Sequence, residues 1–140
     1  MNQEEFERFI MELPHVQREE NFGYSLFFVG DDHRLPFVTI ANSDNDFDNV
    51  SNLDRDGVFR LNIGVSKETF NSLNLHVNED IDYSVLNKFL PHPHYAKQHF
   101  ICILNPVDDN LEKAEQFILE AHSIAKKRYK RKKALTDEKM

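Results

Sequence analysis

The sequence predicts an α+β fold of two layers: an antiparallel sheet of about five strands packed on one side against N- and C-terminal helices. Apolar residues recur at spacings of three and four near both ends of the chain. Residues 58–65 alternate strictly between apolar and other side chains. Strand-length apolar runs at 24–29 and 100–104 lie between the helical patterns.

Residues 2–13 place Phe6, Phe9, Ile10 and Leu13 on one helical stripe, with Glu4, Glu5 and Glu7 where the positive pole of the helix dipole favours acids; Pro14 stops the helix. Residues 24–29 and 36–41 read as a hairpin around a loop of about five residues, 30–34. Residues 42–57 form a long polar loop, with Phe47, Val50 and Leu53 expected to pin it down. In the next strand Phe59, Leu61, Ile63 and Val65 share one face, and Arg60 and Asn62 the other. Ser66 suits the N-cap of a short helix reaching Leu73, with Phe70 and Leu73 on its buried side. A short helical turn is expected at 83–89, then an extended Pro-His-Pro-His-Tyr segment at 91–95. Residues 100–104 are apolar on both faces, as in a central strand, and Asn105-Pro106 ends them. From Leu111 onward Ala114, Phe117, Ile118, Ala121, Ile124 and Ala125 mark a long helix. The chain is thus expected to form one domain over residues 1–133, followed by a flexible tail at 134–140.

With 140 residues and twelve Phe the chain has enough apolar area for one core. No run approaches the roughly 18 apolar residues of a membrane span, and the acidic start lacks the pattern of a signal peptide. Its one cysteine, Cys102, excludes an internal disulfide and fits a reducing, cytoplasmic compartment. The net charge of −7 is unevenly spread: residues 126–133 hold seven basic groups, and the remainder carries ten basic against twenty-four acidic. Such a body, near −14, repels phosphate backbones, so nucleic-acid binding is disfavoured and would rest on the basic segment alone.

Several chemistries can be weighed by spacing. Asp44, Asp46 and Asp48 alternate as in a calcium-binding loop, but Asn49 stands where such a loop turns on Gly and Arg55 where it needs Glu. The plainer expectation is a loop ordered by its own side-chain to backbone bonds. His92 and His94 lie two apart and could share a metal only with a third ligand such as His99, His76 or a loop aspartate. Cys102 shares an apolar strand face with Phe100 and Leu104, where a thiol packs rather than reacts. The four glycines form no GxSxG, GxxxxGK[ST] or GxGxxG motif, which removes serine-hydrolase, P-loop and dinucleotide chemistry. The polar face at Arg60 and Asn62, near Thr39, reads first as an ordinary solvated sheet face, with Arg60 paired to a loop aspartate.

The strings FGYSLFFVGDD, PFVTIANSD, RDGVFRLNIGVSKETF, PHPHYAKQHFICILNP and EAHSIAKKRY, within residues 22–129, resemble an uncharacterised bacterial family catalogued only as a domain of unknown function. More distantly, Phe22-Gly23, residues 61–70 and residues 95–103 are similar in order to MmcQ/YjbR-like proteins. That likeness implies a two-layer sheet-and-helix fold related in shape to secretion chaperones, and DNA binding in some members. The expected function is a non-catalytic module that holds a small anion or a protein partner, with homodimerisation as a further partner expectation and no cofactor implied. Its candidate ligand pocket joins Arg60, Asn62, Asp44, Arg55, His92, His94 and Tyr95. The alternative readings are a metal-dependent enzyme using His92, His94 and a loop aspartate, and nucleic-acid binding by the basic helix.

Overall fold

A capping box opens the first helix: the Asn2 side chain accepts from the Glu5 amide at 2.9 Å, and the Glu5 carboxylate accepts from the Asn2 amide at 3.1 Å. This helix, α1 (Gln3–Met11), buries Phe6 and Ile10 completely. The structure is a computed structural model in which residues 1–75 and 80–138 are described.

Two strands follow, β1 (Val16–Asn21) and β2 (Tyr24–Val29), joined by a two-residue turn at Phe22-Gly23 with φ of 52° and 82°. Both values are positive, the pattern of a type I′ turn, whose twist matches that of the strands it joins. Then come β3 (Val38–Ala41), the long loop, β4 (Arg60–Gly64) and α2 (Lys67–Ser72), where the Ser66 hydroxyl caps the Thr69 amide at 3.0 Å. The chain ends with β5 (Leu90–Pro91), a 3₁₀ turn (Ala96–Gln98), β6 (Phe100–Leu104) and α3 (Asp108–Glu138). The last helix extends to Glu138.

The sheet is antiparallel and has six strands rather than about five, in the order β1-β2-β3-β4-β6-β5. The strands absent from the sequence reading are the two edges. β1 is Val-Gln-Arg-Glu-Glu-Asn and largely exposed, so it carries no alternation of apolar residues to reveal it. β5 is only two residues long. Residues 83–89 form no helix: Leu86 makes an isolated bridge to Leu104, and the Asn87 amide donates to the Leu104 carbonyl at 2.7 Å, so this stretch lies along β6.

Strand parity divides the work between the two faces. Phe27, Val29, Val38, Ile40, Leu61, Ile63, Ile101 and Ile103 meet α1 and α3 in one core, where Ala114, Ile118, Ala121 and Ala125 let α3 approach closely. His122 donates from Nε2 to the Pro14 carbonyl at 2.8 Å, tying α3 to the segment that ends α1. Among the described residues no helix is long and apolar enough to cross a membrane. The opposite sheet face, on which no α-helix of the described residues packs, carries Leu26, Thr39, Arg60, Asn62 and Cys102, and it is covered by loops.

Candidate functional site

Register alone brings the polar residues together. Thr39 pairs with Asn62, and Asn62 with Cys102, while Arg60 lies one step along the same face of β4. Arg60 has no exposed surface. Its Nη1 donates to Asp48 Oδ1 at 3.0 Å and to Ser51 Oγ at 3.0 Å, and its Nη2 donates to Asp48 Oδ2. Nε donates to Asn62 Oδ1 at 2.9 Å, and Asn62 Nδ2 passes the chain on to Thr39 Oγ1 at 2.9 Å. The Tyr24 hydroxyl completes the set by donating to Asp48 Oδ2 at 2.5 Å. The sequence suggested a solvated face here, and the structure corrects that: the long loop folds over β4 and buries the guanidinium. Burial of a cation is tolerable only with a partner, and Asp48 is the loop aspartate that supplies it.

Burial by itself would push the Asp48 carboxyl upward, but the Arg60 guanidinium and Tyr24 hydroxyl outweigh it and hold the group below the usual carboxylate range. Burial, reinforced by the Asp48 charge, pushes the Tyr24 hydroxyl up to about 12. Burial likewise pushes the Cys102 thiol up to about 12, so it is an inert packing group.

Above this network lies a cavity of about 670 Å³. Leu26, Thr39, Asn62 and Phe100 form its floor, and residues 45–48 of the long loop form one wall. His92, His94, Tyr95 and Gln98 form a second wall, Arg34, Leu35 and Pro36 a third, and Phe22 and Tyr24 close the end near the β1–β2 turn. This is the size range of small-molecule sites, and its mix of apolar walls with a few polar groups is also theirs.

Asn62, His92, His94 and Tyr95, four of the candidate residues read from the sequence, line the cavity, and Arg60 lies beneath it, holding Asp48. Asp44 and Arg55 do not line it. Asp44 accepts from the Leu53 amide at 3.0 Å, and Arg55 donates to the carbonyls of Ser51, Asn52 and Ser84, so both brace the loop. Asn45 Oδ1 accepts from the amides of Phe47 and Asp48, and Asp54 accepts from the Asp44 amide. These are the local bonds expected of an ordered loop rather than a calcium cage. Leu53 pins the loop as expected, but Phe47 is 90% exposed and Val50 also lies outside the core.

The chain turns after His92 instead of remaining extended, because the His92 ring itself organises the turn: Nδ1 accepts from the His94 amide at 3.0 Å and the Tyr95 amide at 3.1 Å. The two imidazoles lie 6.0 Å apart. Burial, with the nearby Arg60 charge, holds the His92 pKa down to about 3, so the ring is neutral and carries its proton on Nε2. His99 packs beside Phe70, its ring 5.8 Å away, and does not line the cavity; His76 lies outside the described residues. Among the described residues no three His, Cys, Asp or Glu gather as a metal site. Lining residues that the sequence reading did not place in the pocket include Phe22, Tyr24, Leu26 and Phe100, and Asp48, read there only as a loop aspartate, proves to be the partner of Arg60. The Phe22-Gly23 turn followed by a strand was the available signal for Phe22, Tyr24 and Leu26.

Fold and site together define a two-layer α+β protein with a loop-walled cavity on the helix-free face of its sheet. The chain belongs to a family of unknown function, DUF6194, whose model matches residues 1–134. No curated protein and no solved structure matches it. The MmcQ/YjbR likeness is carried by none of these comparisons, and the family brings no activity with it.

Proposed function

We propose that the protein is a non-catalytic small-molecule-binding module whose site is the cavity on the helix-free face. One observation carries this reading: the cavity wall hangs from a buried ion pair, Asp48–Arg60, whose every buried polar atom has a partner. Replacing such a pair by apolar residues is often neutral or even stabilising, so its presence supports positioning of the wall rather than stability alone. Apolar walls then supply affinity, and the Thr39, Asn62 and His92 groups fix orientation. A cytoplasmic setting belongs to the same reading, supported by the lone buried thiol of Cys102.

The test is a thermal-shift screen of small molecules on the wild-type chain and on Leu26→Trp, which fills the floor. A ligand at 100 times its Kd adds about 2.7 kcal/mol of stability. Stabilisation that saturates in the wild type and vanishes in Leu26→Trp is expected. Hits indifferent to that substitution, or no hits across compound classes, overturn the reading.

A further inference from the structure

We propose that the ligand of this cavity pairs a planar aromatic ring with an uncharged hydrogen-bond acceptor such as a carbonyl oxygen, the ring held at the mouth by Phe22 and Phe47 and the acceptor by the Nε2–H of His92. This rests on the small-molecule reading of the site.

The first observation is Phe22. It occupies the first position of the β1–β2 turn at φ 52°, a left-handed conformation that suits Asn or Gly and is uncommon for a bulky side chain. Packing does not offset that strain, since Phe22 is 80% exposed. Strain kept without a structural return points to function, and Phe22 lines the cavity. Phe47 repeats the pattern on another wall: it is 90% exposed, its amide is pinned to Asn45 Oδ1 at 2.8 Å, and its neighbour Asp48 is fixed by Arg60. Neither ring meets another aromatic ring among the described residues, and both are largely exposed, so each has ring surface to offer a ligand.

The second observation sets the polar end. Two backbone amides donate into His92 Nδ1, which fixes the proton of the neutral ring on Nε2. Nε2 has no acceptor among the described residues and is not sealed from solvent, and His92 lines the cavity, so the group offered there is a donor. The charges beneath the floor are already spent on each other: Asp48 accepts from Arg60 and Tyr24, and Arg60 donates to Asp48, Ser51 and Asn62. A charged head seated against that floor would lose its hydration without gaining a counter-ion there, because the other charges that line the cavity, Arg34 (already paired with Asp32) and Asp46, stand on its walls.

The experiment titrates three compounds by NMR: 2-naphthamide, its saturated decahydro counterpart, and 2-naphthylmethylamine, whose head only donates. Shifts at Leu26, Thr39 and Asn62 report the site. 2-Naphthamide is expected to bind about 3- to 10-fold more tightly than either of the others. Phe22→Asn is expected to raise Tm by about 2–5 °C by relieving the turn, and yet to weaken naphthamide binding several-fold. Phe47→Ser, at a fully solvated position, should leave Tm unchanged and weaken binding likewise. Equal binding of the saturated amide or of the amine at the same residues overturns the ligand class while leaving the cavity as the site. A fall in Tm for Phe22→Asn overturns the role of Phe22. Absence of shifts at the cavity with all three compounds overturns the ligand class, and the site itself falls only if the screen across compound classes is also blank.

Discussion

Arg60 is the residue on which the helix-free face is organised. All three of its side-chain nitrogens find acceptors, on Asp48, Ser51 and Asn62, with no surface left for water. Asp48→Ala strands that charge, and unfolding by urea is expected to show a loss of about 3–5 kcal/mol. Replacing both partners, Asp48→Leu with Arg60→Met, should recover most of it, because no unpaired charge remains. His92 makes a second prediction, about pH. Its folded pKa of about 3 lies below the unfolded value near 6.5, so as pH falls the unfolded chain takes the proton first. The stability it contributes is complete above about pH 6.5 and is lost toward pH 3, at up to about 1.4 kcal/mol per unit. His92→Gln keeps an acceptor for the two amides and has nothing to titrate. Its stability should therefore vary less than that of the wild type between pH 6.5 and 4.5, where carboxylates add little; parallel profiles would contradict the assignment.

Elements announce themselves in the sequence when one face is buried and the other is not. Both terminal helices and β4 were legible for that reason, and β2 and β6 as strand-length apolar runs. β1 was not, because Gln17, Glu19 and Glu20 are exposed and Arg18 spends its charge on Glu7 and Glu20 instead of packing into a core. At β4 the alternation was legible but its meaning was not: Arg60 and Asn62 have the composition of a solvated face, and only the path of the loop above them turns that face into a floor. Most of the cavity was hidden for the same cause, since its residues come from five separate segments between Phe22 and Phe100. The basic end of α3 offers a test at this scale. Gly30, at φ 74°, sits under the Tyr129 ring, and a Cβ there would meet that ring at 2.4 Å. Gly30→Ala combines backbone strain of about 1 kcal/mol with displacement of the ring. Hydrogen exchange should quicken at residues 126–133 and stay unchanged in β4.

Across the whole molecule the sheet keeps its two obligations apart, with helices and core on one side and loops and cavity on the other. Its edges are guarded by different means: charged side chains along β1, and at β5 a length of two residues that includes Pro91. The end of α3 is fastened to the β2–β3 connection by Tyr129 donating to Asp31 and Lys132 to Asp32, on the surface, where Arg34 and Lys132 hold the Asp32 carboxyl well below its usual range. The cavity wall hangs from Asp48–Arg60, inside. Dissolved electrolyte discriminates between the two attachments. At 1 M ionic strength the Debye length contracts to about 3 Å, which weakens surface pairs and scarcely reaches enclosed ones. Raising sodium chloride should therefore loosen the helix tail while leaving the resonances of Asp48 and Arg60 in place, so that one attachment answers to the reagent and the other does not.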